Sequence, residues 1–169
     1  MDETLYNLIM NYDAGGGSLE EIQAYFQGLG ISVEEASLTE LTRAWETCDA
    51  EALEMTELLI RMAGPGEEVA QILGKILLED WHYLHERIAD LFSEYRCPGV
   101  EVYLAAAAVR RYRGREYDYN GTLSRKCYWA LYHIKGRLSG LLIRDISEKI
   151  PHGLRSECAE LSRELLEEE

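Results

Sequence analysis

Residues 18–29 read SLEEIQAYFQGL, and the reading of this stretch decides the fold. Leu19, Ile22, Phe26 and Leu29 recur at steps of three and four, which puts them on one face of a 3.6-residue helix. Ser18 stands three residues before Glu21. At that spacing the two side chains cap the first backbone N–H groups of a helix.

The same pattern repeats outward in both directions. Leu5, Leu8, Ile9 and Tyr12 form a stripe before it; Leu38, Leu41, Trp45 and Cys48, then Ala52, Met55, Leu59 and Met62, form stripes after it. Ser32 with Glu35 and Ser37 with Glu40 repeat the capping spacing, and Asp49 suits an N-cap. Gly64-Pro65-Gly66 stops a helix just before Glu67 and Glu68, which suit the positive end of the next helix dipole. Further stripes follow: Val69, Ile72, Leu73, Ile76 and Leu77; Ile88, Leu91, Phe92 and Tyr95; Val100, Leu104 and Ala108. Leu123, Cys127, Ala130, Leu131 and Ile134 come next, then Leu138, Leu141, Leu142 and Ile146, then Leu154, Cys158, Leu161 and Leu165. Pro98 is placed as a first helical residue, and Arg113–Gly121 reads as a loop.

No stretch sustains strand-type alternation, so the expected class is all-α. From Glu67 onward helices of about 11–15 residues come in pairs, as in an α-solenoid built from antiparallel pairs of about 40 residues. Residues 65–169 are therefore expected to form helical repeats. Residues 1–64, punctuated by Gly15–Gly17 and Gly28-Leu29-Gly30, are expected to form an N-terminal helical cap or subdomain.

Composition narrows the function. A chain of 169 residues can bury about 70% of its unfolded surface, enough for a real core. No apolar run nears the ~20 residues that cross a bilayer. With net charge −14, the surface suits neither anionic lipid nor a nucleic-acid backbone. Cys48, Cys97, Cys127 and Cys158 form no CxxC pair and three of them lie on or beside apolar stripes, so they read as reduced, buried thiols of a cytoplasmic protein. The charge is unevenly spread: residues 1–94 carry −16, 95–156 carry +7 and 157–169 carry −5. Segregation of this kind adds little to fold stability and points to partners.

The run Leu77–Ala89, LLEDWHYLHERIA, with Pro98, the Ala105–Ala108 helix, Tyr117-Asp118 and Ser124–Leu131, SRKCYWAL, resembles bacterial HEAT-repeat proteins. The resemblance covers about residues 70–150 and implies a short solenoid that binds other proteins. Several members of the family accompany toxin–immunity gene pairs. The segment KGRLSG after Ile134 departs from the family's usual turn.

The chemistry-bearing residues point the same way. His82 and His85 beside Glu86 are too few for zinc, which needs three or four ligands, and read instead as a helix-start cap and a bond to a neighbouring helix. No nucleophile elbow, phosphate-binding glycine loop, dinucleotide fingerprint or deaminase signature is present, so no catalysis and no cofactor are expected. VRRYRGREYDYN, Val109–Asn120, mixes arginine with tyrosine, the types that carry interface energy. The acidic run Glu46, Asp49, Glu51, Glu54 and Glu57 would steer a basic partner. The candidate partner-binding residues are thus Glu46, Asp49, Glu51, Glu54, Glu57, Asp80, Trp81, His82, Arg113, Tyr117, Asp118 and Tyr119. The expected function is an immunity protein that masks the active site of a basic, nuclease-type toxin. A HEAT-type scaffold for another protein or peptide, and an acidic nucleic-acid mimic, are the other readings.

Overall fold

The computed structural model describes residues 3–113 and 121–167, and its described residues form ten α-helices and one 3₁₀ turn with no strand. The protein is all-α. The chain divides into two compact units, Met1–Ile72 and Leu73–Glu169, so the division falls inside a helix that starts after Gly64-Pro65-Gly66.

The first unit holds α1 (Glu3–Asp13), α2 (Leu19–Leu29), α3 (Val33–Thr47) and α4 (Ala50–Ala63). Two starts are full capping boxes. Ser18 accepts from the Glu21 N–H while Glu21 accepts from the Ser18 N–H at 3.0 Å, and Ser32 with Glu35 repeats the pair. Asp49 caps α4 by accepting from the Ala52 N–H at 3.0 Å. The Ser37–Glu40 box does not form. Val33 to Thr47 is one continuous helix capped at Ser32, and Ser37 is buried within it with an unpartnered hydroxyl. Cys48 also departs from its stripe, because it closes α3 in the left-handed conformation (φ 52°) and is exposed.

Each helix of this unit packs on the next, and α4 returns to α1, which closes the four into a ring. Leu5, Ile9, Ile22, Phe26, Val33, Ala36, Met55 and Leu59 form its buried core. Tyr12 and Leu29, at the ends of their stripes, are exposed.

The helix α5 (Glu67–Ile76) leads into the second unit, with α6 (His85–Tyr95), α7 (Glu101–Val109), α8 (Thr122–Ile134), α9 (Gly136–Ser147) and α10 (Arg155–Glu167). In it, α8 packs on α6, α7 and α9, α7 also packs on α9, and α10 packs chiefly on α9. Pro98 lies in the turn before α7, not at its first position.

The inward face of α9 is not the leucine stripe. Ser139, Gly140, Ile143 and Ile146 are buried and Leu138 is half exposed. The reason is close approach. A Cβ at Gly140 would lie 3.1 Å from Leu166 Cδ2, and the Ser162 hydroxyl donates to the Gly140 carbonyl at 2.8 Å. Small residues let α10 come that near.

Candidate partner-binding surfaces

The acidic run Glu46–Glu57 splits once it is folded. Glu46 is exposed in the last turn of α3, and Glu51 and Glu54 are exposed on α4. Asp49 holds the α4 cap. Glu57 is fully buried and paired with Arg61, so it belongs to the interior and not to a binding face. Helical spacing explains this. Leu53 and Ile60, with Glu57 between them at steps of four and three, all face inward.

Divided by units, the charge is one-sided in the first and nearly balanced in the second. Residues 1–72 carry fifteen carboxylates against Arg43 and Arg61, a net −13, while 73–169 carry sixteen against fifteen cations, a net −1. Both arginines of the first unit pair within it, Arg43 with Glu40 at 2.7 Å and Arg61 with Glu57. The basic segment of the second unit is met by acids of the same unit. Lys126 bridges Asp90 at 2.5 Å and Glu86 at 3.5 Å, Arg125 lies 3.8 Å from Glu157, and Arg110 lies 3.3 Å from Asp80. Burial opposes the charge of Lys126, but the two carboxylates outweigh it and hold its pKa above the usual lysine value.

The turn at Asp80-Trp81-His82 is mostly structural. His82 is buried, with Nε2 2.7 Å from the Ile76 carbonyl and Nδ1 accepting from the Leu84 N–H at 3.1 Å. Both ring nitrogens are thereby occupied, which removes it as a metal ligand and as a contact for a partner. Its ring stacks on His85 at 4.3 Å, and His85 meets Tyr112 at 4.0 Å. His85 Nε2 lies 2.8 Å from the Glu79 carbonyl. The Tyr112 hydroxyl donates to the Leu77 carbonyl at 2.7 Å, so this tyrosine ties the turn down from within instead of facing a partner. Asp80 is exposed and Trp81 half-buried. Arg113 is exposed after α7, while Tyr117, Asp118 and Tyr119 lie outside the described residues.

Tyr128 is another interior tyrosine. Burial, and then its bond to Glu157, push its hydroxyl pKa up. Burial likewise raises the Cys97 thiol to about 11 and the Cys158 thiol to about 12, the latter helped by Glu157. Among the described residues, no three His, Cys, Asp or Glu side chains are grouped to hold a metal ion, and no helix is long and apolar enough to cross a membrane.

One concavity escapes a linear reading. An open groove of about 640 Å³ runs between the end of α7, the start of α8 and the connection from α9 to α10. Arg110, Arg111, Lys149, His152 and Arg155 line it, with Leu123, Ile150 and Pro151 among its uncharged walls. The arginine pair is visible in the sequence as VRRYRGR. Its juxtaposition with Lys149–Arg155, some forty positions away, has no local signal. Comparison with protein families, with curated proteins and with solved structures finds no match to this chain.

Proposed function

We propose that the protein acts by binding another protein, with the acidic N-terminal unit as the face that recruits a basic partner. The observation that carries this reading is the net −13 of residues 1–72, whose two arginines already serve carboxylates of their own unit. A surface so charged repels itself, and a cationic partner relieves that repulsion while being steered in at a raised rate. The sharpest form is an immunity protein of the bacterial cytoplasm that covers the active site of a basic nuclease toxin.

The second unit fits a HEAT-like array in one respect. Its principal contacts run only to the next helix and the next but one, as stacked helix pairs require. By contrast, the first unit closes on itself, which suits a cap or separate subdomain.

The test is association kinetics against the product of the neighbouring gene, measured across salt. A rate that falls steeply with salt, and falls again in a Glu46→Lys, Glu51→Lys, Glu54→Lys variant, is the expected result. Tight binding that ignores both salt and those substitutions refutes the electrostatic role. Equal capture of unrelated basic proteins would favour the nucleic-acid mimic.

A further inference from the structure

We propose that the second unit binds a small phosphate-bearing molecule in the groove between the end of α7 and the α9–α10 connection. Five basic side chains converge there, Arg110 and Arg111 from one wall and Lys149, His152 and Arg155 from the other. No Asp or Glu stands among the described lining residues, in a chain that has 31 of them. Like charges gathered on a concave surface repel, and their field concentrates anions in the concavity.

The arrangement is held from outside the groove. Arg110 is bonded to Asp80 at 3.3 Å and Lys149 to Asp145 at 2.7 Å, neither carboxylate being part of the lining. Arg155 donates to the Ile150 carbonyl at 3.4 Å. Arg111 and His152, both exposed, have no side-chain partner among the described residues. They are the groups left to receive a ligand.

The walls also approach closely by design of the backbone. Gly121 starts α8 in the left-handed region (φ 64°), where a Cβ would stand 2.8 Å from Pro151 Cγ and 3.0 Å from Leu154 Cδ1. Only glycine permits both the conformation and the contact. A volume of about 640 Å³ is that of a small-molecule site, and the planar arginine fork can hold two oxygens of a phosphate at once. Leu123, Ile150 and Pro151 offer an apolar wall for the rest of such a molecule.

Calorimetric titration of the full chain with pyrophosphate and with ADP tests the site. One molecule per chain is expected, with Kd below about 1 mM at physiological salt. In the double variant Arg111→Gln, His152→Gln the affinity should drop at least about tenfold, while Arg163→Gln on α10 leaves it unchanged. Both altered side chains are exposed, and an unchanged thermal midpoint verifies folding. Absence of binding, or binding indifferent to the double variant, overturns the proposal. So does equal affinity for citrate, which would mean any polyanion suffices, or a single-stranded RNA that binds more tightly than ADP, which would make the groove a nucleic-acid surface.

Discussion

Replacing Arg61 with Met should cost the first unit more than neutralising the carboxylate that Arg61 pairs with. Glu57 is 0% exposed, whereas the Arg61 side chain is 30% exposed. Removing one partner of a buried ion pair strands the other charge, at about 3–5 kcal/mol. Because solvent reaches part of Arg61, the lower end applies, about 3 kcal/mol. For a unit of this size each kcal/mol moves the midpoint by about 4–8 °C, so Arg61→Met should lower it by at least about 12 °C. Glu57→Gln keeps the shape and lets the half-buried guanidinium turn to water, so its cost should be about 1.5 kcal/mol, the low end for one lost charge-assisted bond. Glu57→Lys, which buries a second cation beside Arg61, should not fold.

The assay is thermal unfolding followed by fluorescence of Trp45, in a background where Trp81 and Trp129 are Phe so that only the first unit reports. A loss of under about 3 °C for Arg61→Met, less than about 1 kcal/mol, refutes the buried-pair account. So does an inverted order of the two variants. The outcome bears on function as well: Glu57 lies in the acidic run of the sequence, and a charge reversal there would mimic lost binding by unfolding the unit.

Three further expectations follow from local geometry. Ser32→Ala should destabilise by about 1 kcal/mol through loss of its capping box, while Ser37→Ala, which deletes a buried unpartnered hydroxyl inside α3, should be neutral or stabilising in urea titrations. Gly74→Ala should destabilise despite better helix propensity, because the new Cβ would meet the Tyr103 ring, 2.9 Å from Cγ; comparing it with the Gly74→Ala, Tyr103→Leu pair in thermal scans separates the clash from the backbone. Burial lowers the His82 pKa below 6.5, outweighing its bond to Ile76 and the field of Glu79 and Asp80. The unfolded state then binds more protons, so stability should fall as pH drops below about 6.5, by up to about 1.4 kcal/mol per pH unit, and His82→Gln should flatten that slope in pH-dependent unfolding.

The helical class, the capping boxes at Ser18 and Ser32, the Asp49 cap and the stop at Gly64 were all legible, because each is written in residues within one turn of another. What escaped was long-range. Whether a glutamate in an acidic run faces water depends on the helix register against its neighbours, which put Glu57 inward between Leu53 and Ile60. On α9 the reading favoured bulky residues, but the seam with α10 passes over Gly140, whose lack of a side chain is what closeness demands. Tyr112 and His82 read as interface types because aromatic and polar groups serve cores and surfaces alike; only their partners, Leu77 and Ile76 carbonyls, distinguish the roles.

The acidity of the first unit has a folding explanation that covers most of it, and the remainder is where function must be sought. Of its fifteen carboxylates, Glu3, Glu20, Glu21, Glu34, Glu35, Asp49, Glu51, Glu67 and Glu68 sit at helix starts, where they complement the dipole, and Glu21, Glu35 and Asp49 also accept from backbone N–H groups. Glu40 and Glu57 hold the two arginines. Among the described residues, Asp13 and Glu46 have neither part. Asp13 and Glu46 are each exposed in the last turn of a helix, α1 and α3, where the dipole disfavours an anion by about 0.3–1 kcal/mol, and Glu46 is the one of the two that belongs to the acidic run. Glu46→Lys should therefore stabilise the free protein while slowing its association with a basic partner. A residue whose replacement improves the fold and impairs binding marks a surface shaped by the partner, and Glu46 is the first position at which that opposition should be measured.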